Sequence, residues 1–253
     1  MNFFLNQIPE RTKKPRENGL TMMMDKGLSI NDTKNFIDTC KSYVDIVKLG
    51  FGTSAIYPNI IKKIKLYKNA GITVYLGGTL FEAFVTRGMF KQYKELLESW
   101  QLTTCEVSDG CISIPHQEKC KYISDLANNY RVLSEIGSKD ENIVIESEEW
   151  VRLMQDELQA GAWKVIAEAR EGGNVGVFNK KGNIRINLID KIIKNIPNEN
   201  ILWEAPKKSQ QVWFIDHVGS NVNLGNIAYD EVIPLECLRI GLRGDTFHNF
   251  LNS

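Results

Sequence analysis

The sequence predicts an α/β fold of the (β/α)8 TIM-barrel type, built as a single domain over residues 1–253. Short apolar runs alternate with longer amphipathic stretches along the whole chain, which is the pattern of repeated βα units. Glycine or small polar residues follow several of the apolar runs, as expected at the carboxyl ends of barrel strands. No linker rich in proline, glycine or serine divides the chain, so we set apart only a short polar N-terminal extension, residues 1–18.

The apolar runs give eight strand candidates, and the stretches between them give eight helix candidates. The strand candidates are Leu20 to Met24, Val44 to Leu49, Thr73 to Leu76, Thr103 to Val107, Val132 to Ile136, Lys164 to Ala169, Ile201 to Trp203 and Val222 to Leu224. The helix candidates are Asn31 to Lys41, Pro58 to Asn69, Met89 to Trp100, Gln117 to Asn129, Glu148 to Ala160, Arg185 to Ile196, Ser209 to His217 and Glu231 to Ile240. An open doubly wound sheet is the competing fold, but no Gly-x-Gly-x-x-Gly turn follows the first predicted strand.

The composition excludes several classes of partner. Lysine and arginine together number 31, as do aspartate and glutamate, so the chain has no net charge with which to hold nucleic acid or an anionic membrane. No stretch approaches the roughly 20 apolar residues of a membrane span. The five cysteines are scattered without the spacing of a zinc site or a disulfide framework, so we expect a cytoplasmic protein that binds small ligands. The oligomeric state stays open, a homo-oligomer included.

Four consecutive middle strands end in a glutamate flanked by apolar or small residues: Glu106, Glu135, Glu168 and Glu204. Side chains alternate along a strand, so the four glutamates share an orientation and are expected to point inward at the top of the barrel. Clustered carboxylates repel one another unless a proton, a lysine or a divalent cation is present. The pattern therefore predicts a Mg²⁺ site held by at least two of them. The alternative is that some only hydrogen-bond neighbouring strands or pair with lysines.

Basic residues occupy comparable places. Lys26 follows the first strand, Lys48 lies within the second, Lys139 lies just past the fifth, and Arg170 follows Glu168 by two residues. A cation among carboxylates can bind an anionic substrate or donate a proton. Solvated loop lysines are the simpler alternative, but the run around Lys48 is too apolar for a surface strand.

The segment that leads into the last helix is a candidate phosphate site. Barrels often bind phosphate between their last strands and a helix N-terminus, where free N–H groups face the ligand. Asn223, Gly225 and Asn226 stand at this place, ahead of a helix that must begin near Glu231 because Pro234 is tolerated only in a first turn. The same residues are also compatible with a simple strand-to-helix turn.

The strand-end loops resemble those of the phosphosulfolactate synthase family over nearly the whole chain. The matching motifs are Gly19-Leu20-Thr21 with Asp25-Lys26-Gly27, Lys48-Leu49-Gly50-Phe51-Gly52-Thr53-Ser54, Gly77-Gly78-Thr79-Leu80-Phe81-Glu82, Glu106-Val107-Ser108-Asp109-Gly110, Glu135-Ile136-Gly137, Glu204-Ala205-Pro206-Lys207-Lys208-Ser209-Gln210-Gln211 and Gly241-Leu242-Arg243-Gly244-Asp245-Thr246. Their order and spacing together make the resemblance specific.

The resemblance implies a Mg²⁺-dependent addition of sulfite to phosphoenolpyruvate that gives (2R)-phospho-3-sulfolactate, a coenzyme M precursor. By motif position it implies that Lys139 is the catalytic lysine that protonates the product, and it adds Ser108 to the substrate-binding residues. Two alternatives remain. One is a non-catalytic, stress-associated barrel of the same family, and the other is a related lyase with a different nucleophile.

Overall fold

The computed structural model of the protein describes residues 2–137, 145–169, 172–179 and 181–251. Its strands form one parallel sheet that curls into a nearly closed barrel, so the predicted fold class is confirmed. The strands are β1 (Thr21–Asp25), β2 (Ile46–Leu49), β3 (Thr73–Leu76), β4 (Thr104–Val107), β5 (Arg131–Ile136), β6 (Lys164–Ala167), β7 (Ile201–Glu204) and β8 (Leu224–Ile227). In the sheet they follow the order β3-β2-β1-β8-β7-β6-β5-β4.

Helices follow the strands and cover the outside of the barrel. They are α1 (Ile30–Cys40), α2 (Ile60–Asn69), α3 (Gly78–Val85), α4 (Phe90–Ser99), α5 (His116–Ala127), α6 (Ser147–Gln159), α7 (Ile186–Asn195), α8 (Lys208–Val218) and α9 (Val232–Arg239). All eight predicted helices are confirmed, and α3 is an addition. Within the described parts of the chain, no helix combines the length and the apolar content that a membrane span requires.

Helix α3 was not predicted, because the pair Gly77-Gly78 suggested a loop. The helix begins directly after these glycines, and its apolar face packs into the helix layer. The ring of Phe81 lies 5.6 Å, centroid to centroid, from the rings of both Tyr93 and Tyr122. Burial of this aromatic cluster stabilises a helix whose first residues have low helix propensity.

The interior of the barrel is a small apolar layer. It contains Leu20, Met22, Ile46, Tyr75, Leu133, Ile166 and Leu202. Because side chains alternate along each strand, the next inward positions toward the carboxyl ends carry the polar residues of the site. The apolar layer thus lies directly below those polar residues in the barrel interior.

The N-terminal extension closes the opposite, amino end of the barrel. The Arg11 guanidinium lies 3.0 Å from a carboxylate oxygen of Glu236, and that of Arg16 lies 2.9 Å from Asp45. Beneath them the fully buried Arg239 donates hydrogen bonds to three backbone carbonyls. Residues 11–16 are therefore part of the packed barrel.

The predicted bounds of the last strand, Val222 to Leu224, are wrong, since β8 runs from Leu224 to Ile227. Glycine and asparagine suggested a turn, but Gly225 lies inside the barrel. A Cβ atom there would lie 2.7 Å from the terminal methyl of Met22. Gly225 is thus needed for packing, and the strand continues through it.

Candidate active site

The carboxyl ends of the strands surround a cavity of about 410 Å³. All four glutamates singled out in the sequence line it, together with Lys48 and Asn226. Glu106, Glu135 and Glu204 project from β4, β5 and β7, and Glu168 directly follows β6. The structure therefore brings together the four side chains that the alternation of strand residues predicted to converge.

The ammonium group of Lys48 lies among three of these carboxylates. Its Nζ atom is 3.0 Å from Oε2 of Glu106, 3.2 Å from Oε2 of Glu135 and 3.5 Å from Oε1 of Glu204. Burial by itself lowers the pKa of Lys48, but the surrounding carboxylates, Glu106 most strongly, raise that pKa well above the ordinary lysine value. Lys48 is therefore a permanent cation at the centre of the glutamate cluster.

Two of the glutamates are also held by backbone N–H groups. Gly78 donates its N–H to Oε1 of Glu106 at 2.6 Å, and Ala169 donates to Oε2 of Glu204 at 3.0 Å. Burial raises the pKa of the Glu106 carboxyl, and it raises that of Glu204 to about 7, in each case against the lowering effect of Lys48. Both carboxylates are thus fixed in orientation from two sides.

The position of Glu168 depends on a glycine in the neighbouring strand-end turn. Gly137 has a φ of 142°, and a Cβ atom on it would lie 2.8 Å from Cβ of Glu168. Only glycine combines this backbone conformation with so close an approach. Gly137 therefore lets Glu168 stand beside Glu135 at the mouth of the barrel.

The donor set suits a divalent cation bound in part by substrate. Within the described residues, no group of three or more His, Cys, Asp or Glu side chains is arranged to hold an ion, and Lys48 lies among three of the carboxylates. Mg²⁺, however, is usually bound by one or two carboxylates together with water and substrate phosphate. Glu135 and Glu168 come from adjoining strands and line the same cavity, which fits that pattern, and Glu135 also accepts a hydrogen bond from Lys48 at 3.2 Å.

Lys26 and Asn226 lie where an anionic ligand would enter. The Nζ atom of Lys26 lies 5.8 Å from the ring centroid of Phe51, and that ring lines the cavity. Asn226 has a left-handed backbone, with φ at 57°, and the residue is 8% exposed. Its Oδ1 atom is buried and has no hydrogen-bond partner among the described residues. An unpaired amide oxygen that lines a cavity marks a place for a hydrogen-bond donor of a ligand, and the NH₂ group of the same amide can donate to an anion.

Three predicted substrate-binding residues have other roles in the structure. Ser108 donates its hydroxyl to Glu82. Asn223 lies before β8 at the amino end of the barrel, where its amide accepts the N–H of Leu20 and donates to a backbone carbonyl at 2.9 Å. Gly225 packs inside the barrel, as described above. Each of the three residues thus makes contacts within the barrel, and its role in substrate binding stays a prediction.

Sequence reasoning missed Asp25, which shapes the loop that carries Lys26. Its carboxylate accepts the backbone N–H groups of Gly27 at 2.7 Å and Leu28 at 2.8 Å, and it lies 3.1 Å from the ammonium of Lys63. A carboxylate at the last position of an apolar strand was the signal that could have identified it. The predicted residues Lys139 and Arg170 lie outside the described residues.

Residues 9–245 match the model of the (2R)-phospho-3-sulfolactate synthase (ComA) family. The chain belongs to this family. It is 43% identical over 237 residues to the phosphosulfolactate synthase of Methanocaldococcus jannaschii, a match that covers 91% of this chain and 94% of its relative. It is 39% identical over 250 residues to the phosphosulfolactate synthase of Bacillus subtilis, covering 98% and 99% of the two chains.

Similarity to solved structures supports the fold. The 3-hexulose-6-phosphate synthase of Salmonella typhimurium superposes with a TM-score of 0.56 and 15% sequence identity, over 88% of this chain and 100% of that one. At this level of identity the similarity concerns the barrel alone. The phosphosulfolactate synthase family model, in contrast, spans every strand and the whole glutamate cluster.

Proposed function

We propose that the protein is a phosphosulfolactate synthase that adds sulfite to phosphoenolpyruvate and gives (2R)-phospho-3-sulfolactate. Membership of the family supports the reaction, and the cavity at the carboxyl ends of the strands supplies a site for small anions. In this reaction the sulfur of sulfite bonds to the terminal methylene carbon of phosphoenolpyruvate. The electron pair of the double bond moves toward the carboxylate, and a proton then bonds to the adjacent carbon.

The charge of the cavity is the observation that carries the proposal. Among the described residues that line it, Lys48 is the one cation beside four glutamates. Two anionic substrates can enter such a cavity only if further positive charge accompanies them. A divalent cation supplies that charge, and the acidic lining then becomes a reason for metal dependence.

We assign Mg²⁺ to Glu135 and Glu168, with the substrate contributing the other oxygen atoms. When bound, the ion neutralises the negative charge that builds on the substrate carboxylate as the carbon–sulfur bond forms. Lys48 contacts Glu106, Glu135 and Glu204 and so fixes the acidic wall of the cavity beside the ion. It therefore acts on substrate through the carboxylates that surround it.

The proton that completes the reaction is assigned to Lys139. This assignment rests on the sequence, since Lys139 follows the strand-end turn at Gly137 by two residues. A long side chain on such a turn can reach over the barrel mouth. A general acid typically contributes about 10²- to 10⁴-fold to turnover, so Lys139→Ala should lower turnover by that order with little change in phosphoenolpyruvate binding.

The phosphate group is assigned to the side of the cavity formed by Asn226. The side-chain amide of Asn226 lines the same cavity as the glutamates, its NH₂ group can donate to a phosphate oxygen, and α9 begins six residues later. Lys26 lies at the rim beside Phe51 and adds positive charge.

We extend the proposal to a cytoplasmic location, in line with the five cysteines, which are all free thiols.

Two other functions are compatible with the family. A non-catalytic, stress-associated barrel would not depend on the glutamate cluster. The presence of these glutamates around a cavity therefore favours an enzyme. A related lyase would use the same site with another nucleophile. The two enzymes differ in whether sulfite is consumed.

The decisive experiment is incubation of the protein with phosphoenolpyruvate, sulfite and Mg²⁺, with the product followed by mass spectrometry. We expect the mass of phosphosulfolactate, dependent on sulfite and abolished by excess chelator. Glu135→Gln and Glu168→Gln should each raise the Mg²⁺ concentration needed for half-maximal rate. Glu236→Gln, a carboxylate change at the opposite end of the barrel, is the control and should leave that concentration unchanged. No product, or full activity in chelator, would refute the corresponding part of the proposal.

A further inference from the structure

The barrel has a seam between β3 and β4. These strands are the two ends of the sheet order, and no ladder joins them among the described residues. Glu106 stands on β4, beside this seam, and yet must keep its carboxylate 3.0 Å from Lys48 on β2. Some other contact must therefore fix the end of β4 relative to the strands that carry Lys48.

Helix α3 provides this contact. It starts directly after β3, and two of its residues bind the end of β4. The N–H of Gly78 donates to Glu106 at 2.6 Å, and the carboxylate of Glu82 accepts the hydroxyl of Ser108. The second oxygen of Glu82 accepts the N–H of Cys111 at 3.0 Å. The first two turns of α3 thus hold β4 at positions on either side of Val107.

The contact is buried and tightly packed. Glu82 is 1% exposed and Ser108 is fully buried. A Cβ atom on Gly78 would lie 2.6 Å from Oε1 of Glu106 and 2.7 Å from Cβ of Ser108, so the helix and the strand end leave no space between them. Buried hydrogen bonds to a carboxylate are strong and geometrically selective.

We infer that Glu82 is a positioning residue, which acts through Ser108 to hold the end of β4 across the seam and so places Glu106 beside Lys48. Glu106 and Ser108 are two residues apart, and their side chains lie on the same face of β4. A shift of Ser108 is therefore transmitted directly to Glu106. No role in the reaction is otherwise assigned to Glu82.

The mildest test is Glu82→Gln. It keeps the size of the side chain but replaces one acceptor oxygen with an NH₂ group, which cannot accept a hydrogen bond from Ser108 or Cys111. Amide hydrogen exchange reports on the strand end without any assay of activity. We expect faster exchange in residues 104–111 of this variant and unchanged exchange in residues 131–136. Glu236→Gln, which removes an ion pair at the amino end, is the matched control and should change neither segment.

The second measurement is a double-mutant cycle on kcat/KM, and this part rests on the proposed function. Residues that orient a reactive group typically change activity by about 10- to 100-fold. We expect Glu82→Gln to lower kcat/KM by that order in the natural protein and to have almost no further effect in a Glu106→Gln background. Any loss of thermal stability should persist in both backgrounds.

The outcomes separate the two claims. Unchanged exchange in residues 104–111, or losses of activity that multiply in the double variant, would overturn the positioning role of Glu82. If the natural protein converts no phosphoenolpyruvate and sulfite, the proposed function fails, and hydrogen exchange alone then decides whether Glu82 holds the strand end.

Discussion

The ammonium of Lys48 lies 3.0 Å from a carboxylate oxygen of Glu106, although the two residues belong to strands on opposite sides of β3. The same ammonium reaches Glu135 and Glu204. A lysine that contacts three carboxylates in a buried position compensates charges that would otherwise be very unfavourable. The stability of the barrel mouth and the arrangement of the site therefore depend on the same side chain.

We predict that Lys48→Met destabilises the protein strongly. Removal of one partner from a buried ion pair typically costs about 3–5 kcal/mol, because the remaining charge is left uncompensated. Without Lys48 the pKa values of the surrounding carboxyl groups rise further. A carboxyl group with a raised folded-state pKa makes the protein less stable as the pH rises from its unfolded-state pKa, about 4.3, toward its folded-state pKa. The loss should therefore be larger at pH 8 than at pH 5 in urea unfolding.

The control for this prediction is Lys26→Met, since Lys26 is exposed at the rim of the cavity. It should change stability little at either pH but weaken phosphoenolpyruvate binding in calorimetry. An equal loss of stability at both pH values for Lys48→Met would contradict the proposed compensation of charge.

Gly78→Ala should lower both stability and activity. Alanine is the better residue in a helix, so propensity alone predicts a gain. The added methyl carbon, however, would lie 2.6 Å from Oε1 of Glu106 and 2.7 Å from Cβ of Ser108, closer than van der Waals contact allows. Helix α3 or strand β4 would therefore have to move. Gly244→Ala is the control, because a Cβ atom there meets nothing within 4 Å. Thermal unfolding and product formation measure both effects, and a stabilised, active Gly78→Ala would disprove the close packing.

Asn226→Gly should separate stability from binding. The left-handed backbone of Asn226 costs an L-residue about 1–2 kcal/mol relative to the right-handed conformation, and glycine removes this cost. We expect equal or higher stability together with weaker binding of phosphoenolpyruvate and of inorganic phosphate. Gln101→Gly, at φ 53° on an exposed turn, is the matched control and should leave binding unchanged. Unaltered affinity of Asn226→Gly would exclude its amide from the phosphate site.

The sequence predicted the barrel and its acidic mouth because both follow from simple periodicities. Alternation within strands places Glu106, Glu135 and Glu204 on one face, and the βα repeat places that face at one end of the barrel. These relations depend only on position in a strand, so they could be found without knowledge of contacts.

The features that could not be predicted depend on close contacts between residues that are distant in the sequence. The helix α3 was hidden by Gly77-Gly78, because glycine required for packing against β4 looks the same as glycine required for a turn. Gly225 was misinterpreted for the same reason. The role of Ser108 also depends on Glu82, 26 residues earlier in the chain, and no local pattern connects the two.

The last prediction concerns Lys164 at the amino end of the barrel, away from the cavity. Its ammonium donates to the carbonyl oxygen of Glu17 at 2.8 Å, and burial lowers its pKa to about 8. Between pH 8 and the unfolded-chain value of about 10.4, the unfolded chain holds this proton and the folded chain does not. The contribution of Lys164 to stability should therefore increase with pH in this window. Relative to the natural protein, Lys164→Met should thus lose stability progressively from pH 8 to pH 10 in urea unfolding, whereas the exposed Lys34→Met should show a constant difference. A constant difference for Lys164→Met as well would mean that its pKa is not lowered by burial.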